Sequence, residues 1–411
     1  MEQTTTLIIG AGHAGLAMSR ALSLRSIDHI LLDRGRPGNA WRTERWNSLR
    51  MLTPNWANGL PGADQRGQDA DGYMSCADFA QDLENYANSI GAPMREGVTA
   101  RRLTRWSGEF RVETDQGIYS AVTVVNATGA TTRAKVPALA ADVPKHIQQV
   151  TAQAYSTPSD LPDGNVLVVG ASASGVQIAR ELQLSGRQVI LATGNHVRLP
   201  RMYRGRDIEH WLHRTGVYDE RAEDIEDLER ARRLSSAQLF SDGEIDLNSL
   251  QALGIEVVGR LSAIRDGKAL FSGGLANLTT SADLKMARLL DRIDAWILAH
   301  AEPGMIASTD RPTPTAIPVS PRLSLDLSPG DLRTIVWATG YAPDTSWIDL
   351  PVFDRRNRLQ HQRGICPVPG LFMLGLPVMR RRRSHHVSGA AADTHELSDI
   401  LQQHLHARRA A

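Results

Sequence analysis

The sequence predicts an α/β fold in which one strand–turn–helix unit occurs twice along a single chain. The first copy is the apolar strand 7–9, followed by a glycine-rich turn at 10–15 and a segment with helical apolar periodicity. The second copy is the apolar strand 166–169, followed by a similar turn at 170–175. Each copy has its own Ala-Thr-Gly tripeptide further along the chain. Glycines at such a turn let the backbone approach a phosphate, and the N-terminus of the next helix faces its negative charge.

These two units predict two Rossmann-like dinucleotide-binding domains, with the second inserted into the first. One glycine turn alone would be weak support, because such turns are common between strands and helices. A chain of 411 residues is long enough for two or three domains. A proline-rich segment, 311–318, indicates a connector back to the first domain. We therefore expect residues 1–157 and 311–411 to form the first domain, and residues 158–310 to form the inserted domain with a helical insert.

The remaining segments show periods of 3.6 or 2 in their apolar residues. These patterns predict helices over 76–90, 206–219, 281–300 and 388–404, and strands within 98–121 and over 122–129, 334–341 and 370–376. Residues 34–75 are loop-rich but contain three tryptophans, and this aromatic content disfavours disorder. Residues 221–242 are highly charged, so we expect them to face solvent.

The second strand of the first unit, 29–33, ends in a carboxylate, Asp33. An acid about 20 residues after the glycine turn accepts hydrogen bonds from an adenosine ribose. The alternative is an ordinary solvated acid at the end of a strand. The residues of this unit expected to hold the first nucleotide are Gly10, Gly12, His13, Ala14, Gly15, Asp33 and Arg34.

The second unit differs from the first at the end of its second strand. That strand, 188–192, is followed by Thr193 rather than by an acid. With no carboxylate to repel it, a 2′-phosphate can be accommodated, and Arg198, Arg201 and Arg204 are candidate cationic partners. This pattern favours NADPH over NADH, unless the arginines belong only to a basic surface loop. The residues expected to hold the second nucleotide are Gly170, Ser172, Ser174, Gly175, Thr193, Arg198 and Arg201.

Taken together, the two glycine turns and the tripeptides at 127–129 and 338–340 resemble the flavin-dependent monooxygenases with two dinucleotide-binding domains. That family includes flavin-containing monooxygenases, their auxin-synthesis relatives, Baeyer-Villiger enzymes and N-hydroxylases. The resemblance implies FAD on the first domain, NADPH on the second, and O₂ and a small organic substrate as the other reactants. The reduced flavin would capture O₂ as a C4a-(hydro)peroxide, which oxygenates the substrate by heteroatom oxidation or Baeyer-Villiger insertion.

The resemblance also implies where further site residues lie. The segment 41–62 is similar to the family's loop beside the flavin, and the connection before the last helix passes the isoalloxazine ring. The additional cofactor contacts expected are Trp41, Thr53, Ala127, Thr128, Gly129, Ala338, Thr339, Gly340, Gly375 and Ser388. Catalytic candidates are Thr53 and Asn55 at the reactive flavin edge, together with Arg382 and His385 in that connection.

Alternatives stay open for the catalytic candidates. A cation such as Arg382 would stabilise the negative charge of the reduced flavin near its N1 atom. The run of four arginines, 380–383, could instead be a solvated loop, and His385 could serve packing or hydrogen bonding rather than acid-base chemistry. Amine- and sulfide-oxygenating members carry an asparagine where this chain has Pro54, with Asn55 one place later. The type of oxygenation therefore stays open.

Two other classes of protein share parts of this pattern. The first is an FAD-dependent NAD(P)H oxidoreductase that passes electrons to a quinone or another acceptor without inserting oxygen. Its disulfide-reductase branch needs a nearby cysteine pair, and Cys76 and Cys366 form none in the sequence. The second is a redox sensor or scaffold that keeps its nucleotides as structural ligands, which two complete glycine turns disfavour.

The bulk properties limit partners and location. A net charge of +1 gives no reason to expect nucleic acid or an anionic membrane as a partner. No apolar run approaches the roughly 20 residues needed to span a bilayer, and the start has no signal-peptide pattern. The 13 histidines show no metal-ligand spacing, so no metal is expected. We expect a cytoplasmic enzyme, and a homodimer is a family-level expectation.

Overall fold

The structure, a computed structural model, describes residues 1–63, 69–233, 235–241, 243–300 and 310–410. Parts of the predicted loop-rich and charged segments and of the predicted domain ends lie outside these ranges. The strands and helices confirm the predicted α/β fold class, and within the described ranges the strands form two large sheets with parallel cores and four small sheets of two or three strands.

The elements are named in chain order. The strands are β1 (Glu2–Ile9), β2 (His29–Leu32), β3 (Met94–Arg95), β4 (Ala100–Trp106), β5 (Glu109–Thr114), β6 (Gly117–Asn126), β7 (Arg133–Ala134), β8 (Gln148–Thr151), β9 (Asn165–Val169), β10 (Val189–Ala192), β11 (Val197–Arg198), β12 (Met202–Tyr203), β13 (Arg206–Asp207), β14 (Ala237–Gln238), β15 (Glu256–Val258), β16 (Leu261–Arg265), β17 (Lys268–Phe271), β18 (Ser324–Asp326), β19 (Leu332–Trp337), β20 (Tyr341–Ala342) and β21 (Leu371–Met373). The helices are α1 (His13–Ser23), α2 (Asn39–Thr43), α3 (Cys76–Ser89), α4 (Ala173–Leu184), α5 (Ile208–Arg214), α6 (Leu228–Arg232), α7 (Leu247–Ala252), α8 (Leu275–His300) and α9 (Ala390–Ala410). Short 3₁₀ turns cover Asn55–Ala57, Ala138–Asp142, Pro158–Asp160, Ala222–Asp224 and Val387–Gly389.

The first sheet has the strand order β3-β2-β1-β6-β5-β4. β21 also pairs with β6, next to the part of β6 that follows its pairing with β5. The strands β1, β2, β3, β6 and β21 run parallel, whereas β4 and β5 form an antiparallel meander. In β1, Leu7 and Ile8 are completely buried, as expected for a parallel strand that is covered on both faces. The first glycine turn lies at the carboxyl edge of these parallel strands.

The second sheet has the order β15-β10-β9-β19-β8, and all its pairings are parallel. Leu167 of β9, at its centre, is paired with Ile190 on one side and Ile335 on the other. All three residues belong to one hydrophobic cluster, with Ile190 partly buried at its edge. This sheet repeats the plan of the first, because each has its glycine turn at the end of a central parallel strand.

The strand pairing places the domain boundaries differently from the sequence prediction. β8 lies in the second sheet, so the chain has entered the inserted domain before Gln148, not after 157. β19 lies between β9 and β8, so the chain leaves that domain after Trp337, not at 310. The prediction took the proline-rich segment 311–318 as the return to the first domain, whereas domain membership is set by which strands share backbone hydrogen bonds.

The helix ends follow their local caps. A capping box between Ser75 and Asp78 starts α3, close to the predicted 76–90. α5 ends well before the predicted residue 219, because Gly216 adopts a left-handed φ of 70° just past its C-terminus. α8 and α9 are both longer than predicted, and α9 is preceded by the 3₁₀ turn Val387–Gly389. In the described part of the chain, no helix is long and apolar enough to cross a membrane.

We call the part of the inserted domain from β11 to β14 the helical insert. Two short segments, 218–222 and 380–383, connect this insert to the first domain. We call this pair the arginine clamp. Its backbones run antiparallel and are joined by hydrogen bonds from the Ala222 amide to the Arg380 carbonyl at 2.9 Å and from the Arg383 amide to the Tyr218 carbonyl at 3.2 Å. The insert is thereby held against the loop that leads into α9.

Every arginine of the clamp has a carboxylate partner. Arg380 pairs with Glu396 at 2.7 Å and Arg381 with Asp393 at 2.8 Å, both inside the first domain. Across the clamp, the partner carboxylates are Glu220 for Arg382 and Asp219 for Arg383. Arg380 is only 2% exposed. The interpretation of residues 380–383 as a solvated loop is therefore wrong.

The contribution of this charge pairing to stability can be tested at Glu396. It pairs with Arg363, Arg380 and Arg381. Burial alone would raise the pKa of the Glu396 carboxyl, but the guanidinium groups of Arg381 and Arg380 outweigh burial and lower that pKa to about 2. Such a carboxylate stabilises the fold above its unfolded pKa of about 4.3, and this stabilisation is lost as the pH falls towards 2.

We expect Glu396→Gln to lower the free energy of unfolding by about 2–4 kcal/mol near pH 7, because Arg380 is left buried beside a neutral amide. The loss should shrink near pH 3, and urea unfolding followed by circular dichroism measures both values. Glu113→Gln is the control, since Glu113 pairs with Arg111 at an exposed position and should change stability by less than about 1 kcal/mol. An equal loss at both pH values would contradict the account.

Candidate functional site

The first glycine turn joins β1 to α1 and is shaped by very close backbone contacts. A Cβ on Gly10, whose φ is 108°, would lie 2.6 Å from the Ala127 carbonyl oxygen. A Cβ on Gly15 would lie 1.8 Å from the Gly10 carbonyl oxygen. At Gly12, by contrast, a Cβ would meet nothing within 4 Å. Packing therefore requires Gly10 and Gly15, whereas Gly12 borders open space, where a phosphate can approach the backbone.

The N-terminus of α1 faces that space without a cap of its own. Gly12 occupies the N-cap position, no side chain caps it, and the first turn carries no acidic residue. The first amides of a helix have no partner inside the helix and attract anions. The turn therefore fits a diphosphate on two independent grounds, an open glycine and uncapped amides.

A cavity of about 400 Å³ opens from this turn. Twelve of the predicted cofactor or catalytic residues line it, and these are Gly10, Gly12, His13, Ala14, Asp33, Arg34, Trp41, Ala127, Thr128, Gly129, Gly375 and His385. Residues that the sequence reasoning missed also line it, among them Val98, Thr99, Asp344 and Trp347. Val98 and Thr99 follow β3, whose position beside β2 at the same carboxyl edge could have identified them.

Asp33 is fixed by two backbone hydrogen bonds. Its carboxylate accepts from the amide of Ala11 at 2.7 Å and from the amide of Gly35 at 2.9 Å. Burial raises the pKa of Asp33, and these two hydrogen bonds partly offset the rise. The carboxylate thus ties the glycine turn to the end of β2 while it lines the cavity. Its predicted contact with a ribose stays a prediction.

His13 and His385 face the cavity from opposite elements, α1 and the connection before α9. Burial lowers the pKa of each to about 4, and in His13 the neighbouring His385 adds to the effect. His385 has exposed surface that opens onto the cavity. Both imidazoles are therefore neutral near pH 7, and each can donate one hydrogen bond and accept another.

The loop 52–58 is built differently from the prediction for Thr53 and Asn55. The Thr53 hydroxyl donates to Asn58 Oδ1 at 2.6 Å. The Asn55 side chain donates to the Asp69 carbonyl at 2.9 Å and accepts from the Met74 amide at 3.0 Å. Neither residue lines the cavity. The structure thus gives both residues a role in holding the loop, not the catalytic placement predicted for them.

Arg382 and Ser388 are also outside the lining of the cavity. The Arg382 guanidinium is bound to Glu220 in the arginine clamp, so the predicted position beside a flavin is not observed for it. Ser388 lies in the 3₁₀ turn that precedes α9. Of the four catalytic candidates, only His385 reaches the cavity, because the clamp turns the arginines away from it.

The second glycine turn repeats the geometry of the first. A Cβ on Gly170 would lie 2.3 Å from the Ala338 carbonyl oxygen, and one on Gly175 would lie 1.8 Å from the Gly170 carbonyl oxygen. A Cβ on Gly340 would meet nothing within 4 Å. Because Gly170 lies so close to Ala338, the tripeptide 338–340 belongs to the second turn, just as 127–129 belongs to the first. Ser172 takes the N-cap position of α4, and its side chain makes no capping bond.

The predicted cationic partners at the second site are already bound by carboxylates. Arg198 is 3% exposed and pairs with Asp246 at 2.5 Å and with Asp283 at 2.7 Å. Arg201, equally buried, pairs with Asp207 at 2.5 Å. Thr193 has no exposed surface. The structure therefore gives Arg198 and Arg201 a structural role, since a strand end cannot reveal which carboxylates the fold brings to an arginine.

Arg260 is a cation at this edge that the sequence reasoning missed. It follows β15, the neighbour of β10, and its side-chain nitrogens approach to 3.9 Å from where a Cβ of Gly194 would lie. Its side chain is exposed, and we find no carboxylate partner for it in the described ranges. The signal was the third strand of the unit, whose end meets the end of the second strand at the same sheet edge.

Comparison with known proteins gives consistent matches. A family model described as "Pyridine nucleotide-disulphide oxidoreductase" matches residues 7–213. An "Uncharacterized oxidoreductase CzcO-like" from Geobacillus kaustophilus is 31% identical over 399 residues, which cover 96% of this chain and 97% of that protein. The "Probable indole-3-pyruvate monooxygenase YUCCA4" of Arabidopsis thaliana is 27% identical over 179 residues, 43% of either chain.

A solved structure also matches over nearly the whole chain. The flavin-containing monooxygenase from Stenotrophomonas maltophilia superposes with a TM-score of 0.69 at 17% identity, covering 98% of this chain and 100% of that chain. At this identity the match shows the fold. Together with the sequence relatives, it confirms the predicted two-domain architecture and the resemblance to flavin-dependent monooxygenases.

The two kinds of glycine in the first turn give a matched pair of variants. Gly12→Ala should keep the melting temperature within about 2 °C of the wild type, because its Cβ meets only open space, yet reduce bound flavin nucleotide about tenfold or more by occupying the phosphate approach. Gly15→Ala should destabilise the fold itself. Flavin absorbance per protein and thermal unfolding measure both effects, with the exposed Gly273→Ala as control. Full flavin content in Gly12→Ala would contradict the assignment.

Proposed function

The chain belongs to the pyridine nucleotide-disulphide oxidoreductase family, and from that premise we propose that it is an NADPH-dependent FAD monooxygenase acting on a small organic substrate. The observation that carries the proposal is the doubled glycine turn, in which each copy closes on its own Ala-Thr-Gly tripeptide and the glycine of that tripeptide, Gly129 or Gly340, borders open space. A flavin bound at the first turn would supply the O₂ chemistry.

The chain's own residues divide the binding work between the two turns. The amides of α1 and Gly12 would hold the FAD diphosphate, and Asp33 its adenosine ribose. Trp41 and His385 wall the cavity from opposite elements. At the second turn, the amides of α4 would hold the NADPH diphosphate. The arginine clamp holds the insert against the loop that leads into α9.

The cysteines favour this function over disulfide reduction. Cys76 and Cys366 are both buried and unpaired. Burial raises the pKa of the Cys76 thiol to about 11 and that of the Cys366 thiol to about 12. A thiol must ionise to exchange with a disulfide, so neither cysteine is suited to that chemistry.

One observation favours a second candidate, an FAD-dependent NAD(P)H oxidoreductase that passes electrons to a quinone or other acceptor. The amide of Asn55 is fully engaged by residues 69–74, so this asparagine does not face the cavity. Members of the resembling family that oxygenate amines and sulfides use an asparagine beside the flavin. Heteroatom oxidation by that means is therefore less well supported than oxygenation of another substrate class or simple electron transfer.

A rapid-mixing experiment separates the two candidates. Protein purified with its flavin is reduced by NADPH under anaerobic conditions and then mixed with oxygenated buffer, with and without a panel of ketones, sulfides and amines. A monooxygenase should show a transient absorbance distinct from both oxidised and reduced flavin, and an oxygenated product. Direct return to oxidised flavin in every mixture, with faster reoxidation by a quinone, would favour the oxidoreductase. Gly12→Ala serves as the flavin-depleted control.

Arg260 gives a separate test of the choice of nucleotide. If its guanidinium binds the 2′-phosphate, Arg260→Ala should raise the KM for NADPH about tenfold and leave the KM for NADH unchanged, since only NADPH carries that phosphate. Steady-state flavin reduction with each nucleotide measures the ratio. The control is Arg265→Ala, an exposed arginine on β16. Equal changes for both nucleotides would remove Arg260 from the site.

A further inference from the structure

Besides Nε2 of His196, three buried histidine nitrogens have no hydrogen-bond partner within the described ranges. They are Nε2 of His13, Nε2 of His213 and Nδ1 of His386. Buried polar atoms are nearly always paired, so a group of orphans needs an explanation. They come from three different parts of the chain, namely the first glycine turn, the end of α5 and the connection before α9. The fold has therefore gathered neutral imidazoles around one region.

The rings of this region are in contact, one after another, from the cavity inwards. His385, which lines the cavity, has its ring centre 4.4 Å from that of His386. The ring centre of His386 is in turn 5.0 Å from that of Tyr218, at a steep angle. At such spacings, one water molecule can bridge a ring nitrogen to the phenol oxygen or to the next ring.

The inner end of this row is a buried acid. The Tyr218 hydroxyl donates to both carboxylate oxygens of Glu209, at 2.9 and 2.8 Å. Glu209 is only 3% exposed. Beside it, the Asp207 carboxylate binds Arg201 and accepts the hydroxyl of the half-buried Tyr73. Asp207 is joined to Glu209 through the amide of Glu209, which donates to Asp207 Oδ1 at 2.7 Å.

The charges around Glu209 suit it to hold a proton. Burial raises the pKa of Glu209 to about 7, Tyr218 and Arg201 act in the opposite direction, and Asp207 adds to the rise. Tyr73 is also within electrostatic range. The pKa of His386 is far below its ordinary value because of burial, with His385, His213, His13 and Arg383 adding to the effect. Glu209 can therefore store a proton near neutral pH, whereas His386 can only pass one on.

We propose that Glu209, Tyr218, His386 and His385 form a proton path that feeds the flavin-side cavity. The inference rests on the proposed function, in which NADPH gives a hydride, the O–O bond breaks, one oxygen atom bonds to the substrate and the other leaves as water. That balance consumes one proton per turnover. When Glu209 is protonated, its carboxyl donates to the phenol oxygen instead; its proton then moves to Tyr218 as the phenol proton moves through one water to His386, and His385 delivers a proton in the cavity. Glu209 is reprotonated from the Tyr73 side.

The test compares two variants of the path with a matched control. Tyr218→Phe and Glu209→Gln interrupt the path at adjacent points. Tyr203→Phe removes another buried phenol of the insert, whose hydroxyl also binds a carboxylate, Asp294, at 2.8 Å, but which lies outside the path. Anaerobic flavin reduction by NADPH should be unchanged in all three, since hydride transfer takes no proton from the path. Reoxidation with substrate should slow about tenfold or more in the two path variants only.

The pH profile and the solvent isotope effect distinguish proton transfer from a structural role. Wild-type reoxidation should fall as the pH rises through about 7, where Glu209 loses its proton. Glu209→Gln should lack that limb, and Tyr218→Phe should show a larger effect of D₂O. A structural role would lower rates at every pH alike. Profiles for both path variants that match that of Tyr203→Phe would overturn the proposal.

A measurement on flavin-free protein tests the proton store independently of activity. A carboxyl whose pKa is raised by folding destabilises the fold as the pH rises from its unfolded value of about 4.3 towards 7. Glu209→Gln should remove that part of the pH dependence of unfolding, and an infrared carboxyl band that titrates near pH 7 should disappear with it. If NADPH does not reduce the wild-type flavin, the proposed function fails; if the band is absent from the wild type, the proton path fails.

Discussion

The close approach of backbone to backbone at the two glycine turns is the constraint on which the rest of the structure depends. In each turn the last glycine touches the carbonyl oxygen of the first, and the first touches the alanine carbonyl of its own tripeptide. No side chain fits at either contact. Because of these contacts, helix and strand can meet at a sharp angle, so the uncapped helix amides face the end of the sheet. Both candidate nucleotide sites follow from that one backbone geometry.

Buried charge organises what lies between the two sites. The low dielectric of the interior makes an unpaired ion very costly, so arginines that enter it bring their carboxylates with them. Arg380, Arg198 and Arg201 are all nearly fully buried, and each is held by one or two acids. The pairs that cross from the insert to the first domain are those of Arg382 with Glu220 and of Arg383 with Asp219. The orphan imidazoles in the same region are tolerable only because burial keeps them neutral.

Much of the first site could be predicted from sequence, because its residues are close in the chain to the glycine turn or to a strand end. Gly12, Asp33 and the tripeptide 127–129 all line the cavity as expected. Predictions failed where a side chain had several possible partners. Asn55 holds its own loop, and Arg382 binds Glu220. The return to the first domain was predicted at the proline-rich segment 311–318, although β19 still belongs to the second sheet. The local sequence does not show these outcomes, because the partner of each residue or strand comes from another segment of the chain.

The sequence by itself determined the fold class, the doubled unit and the position of both glycine turns, because these depend on local backbone conformation and on periodic burial. Only the tertiary structure decided which arginine at the second site has no carboxylate partner among the described residues, and which histidines meet at the first. Arg198 and Arg201 are neutralised by acids from 6 to 85 residues away, whereas Arg260 stands exposed beside Gly194. His13, Tyr218 and His385 are gathered from three separate segments. Electrostatic and hydrogen-bond partners act through space, and their identity is fixed only when the chain has folded.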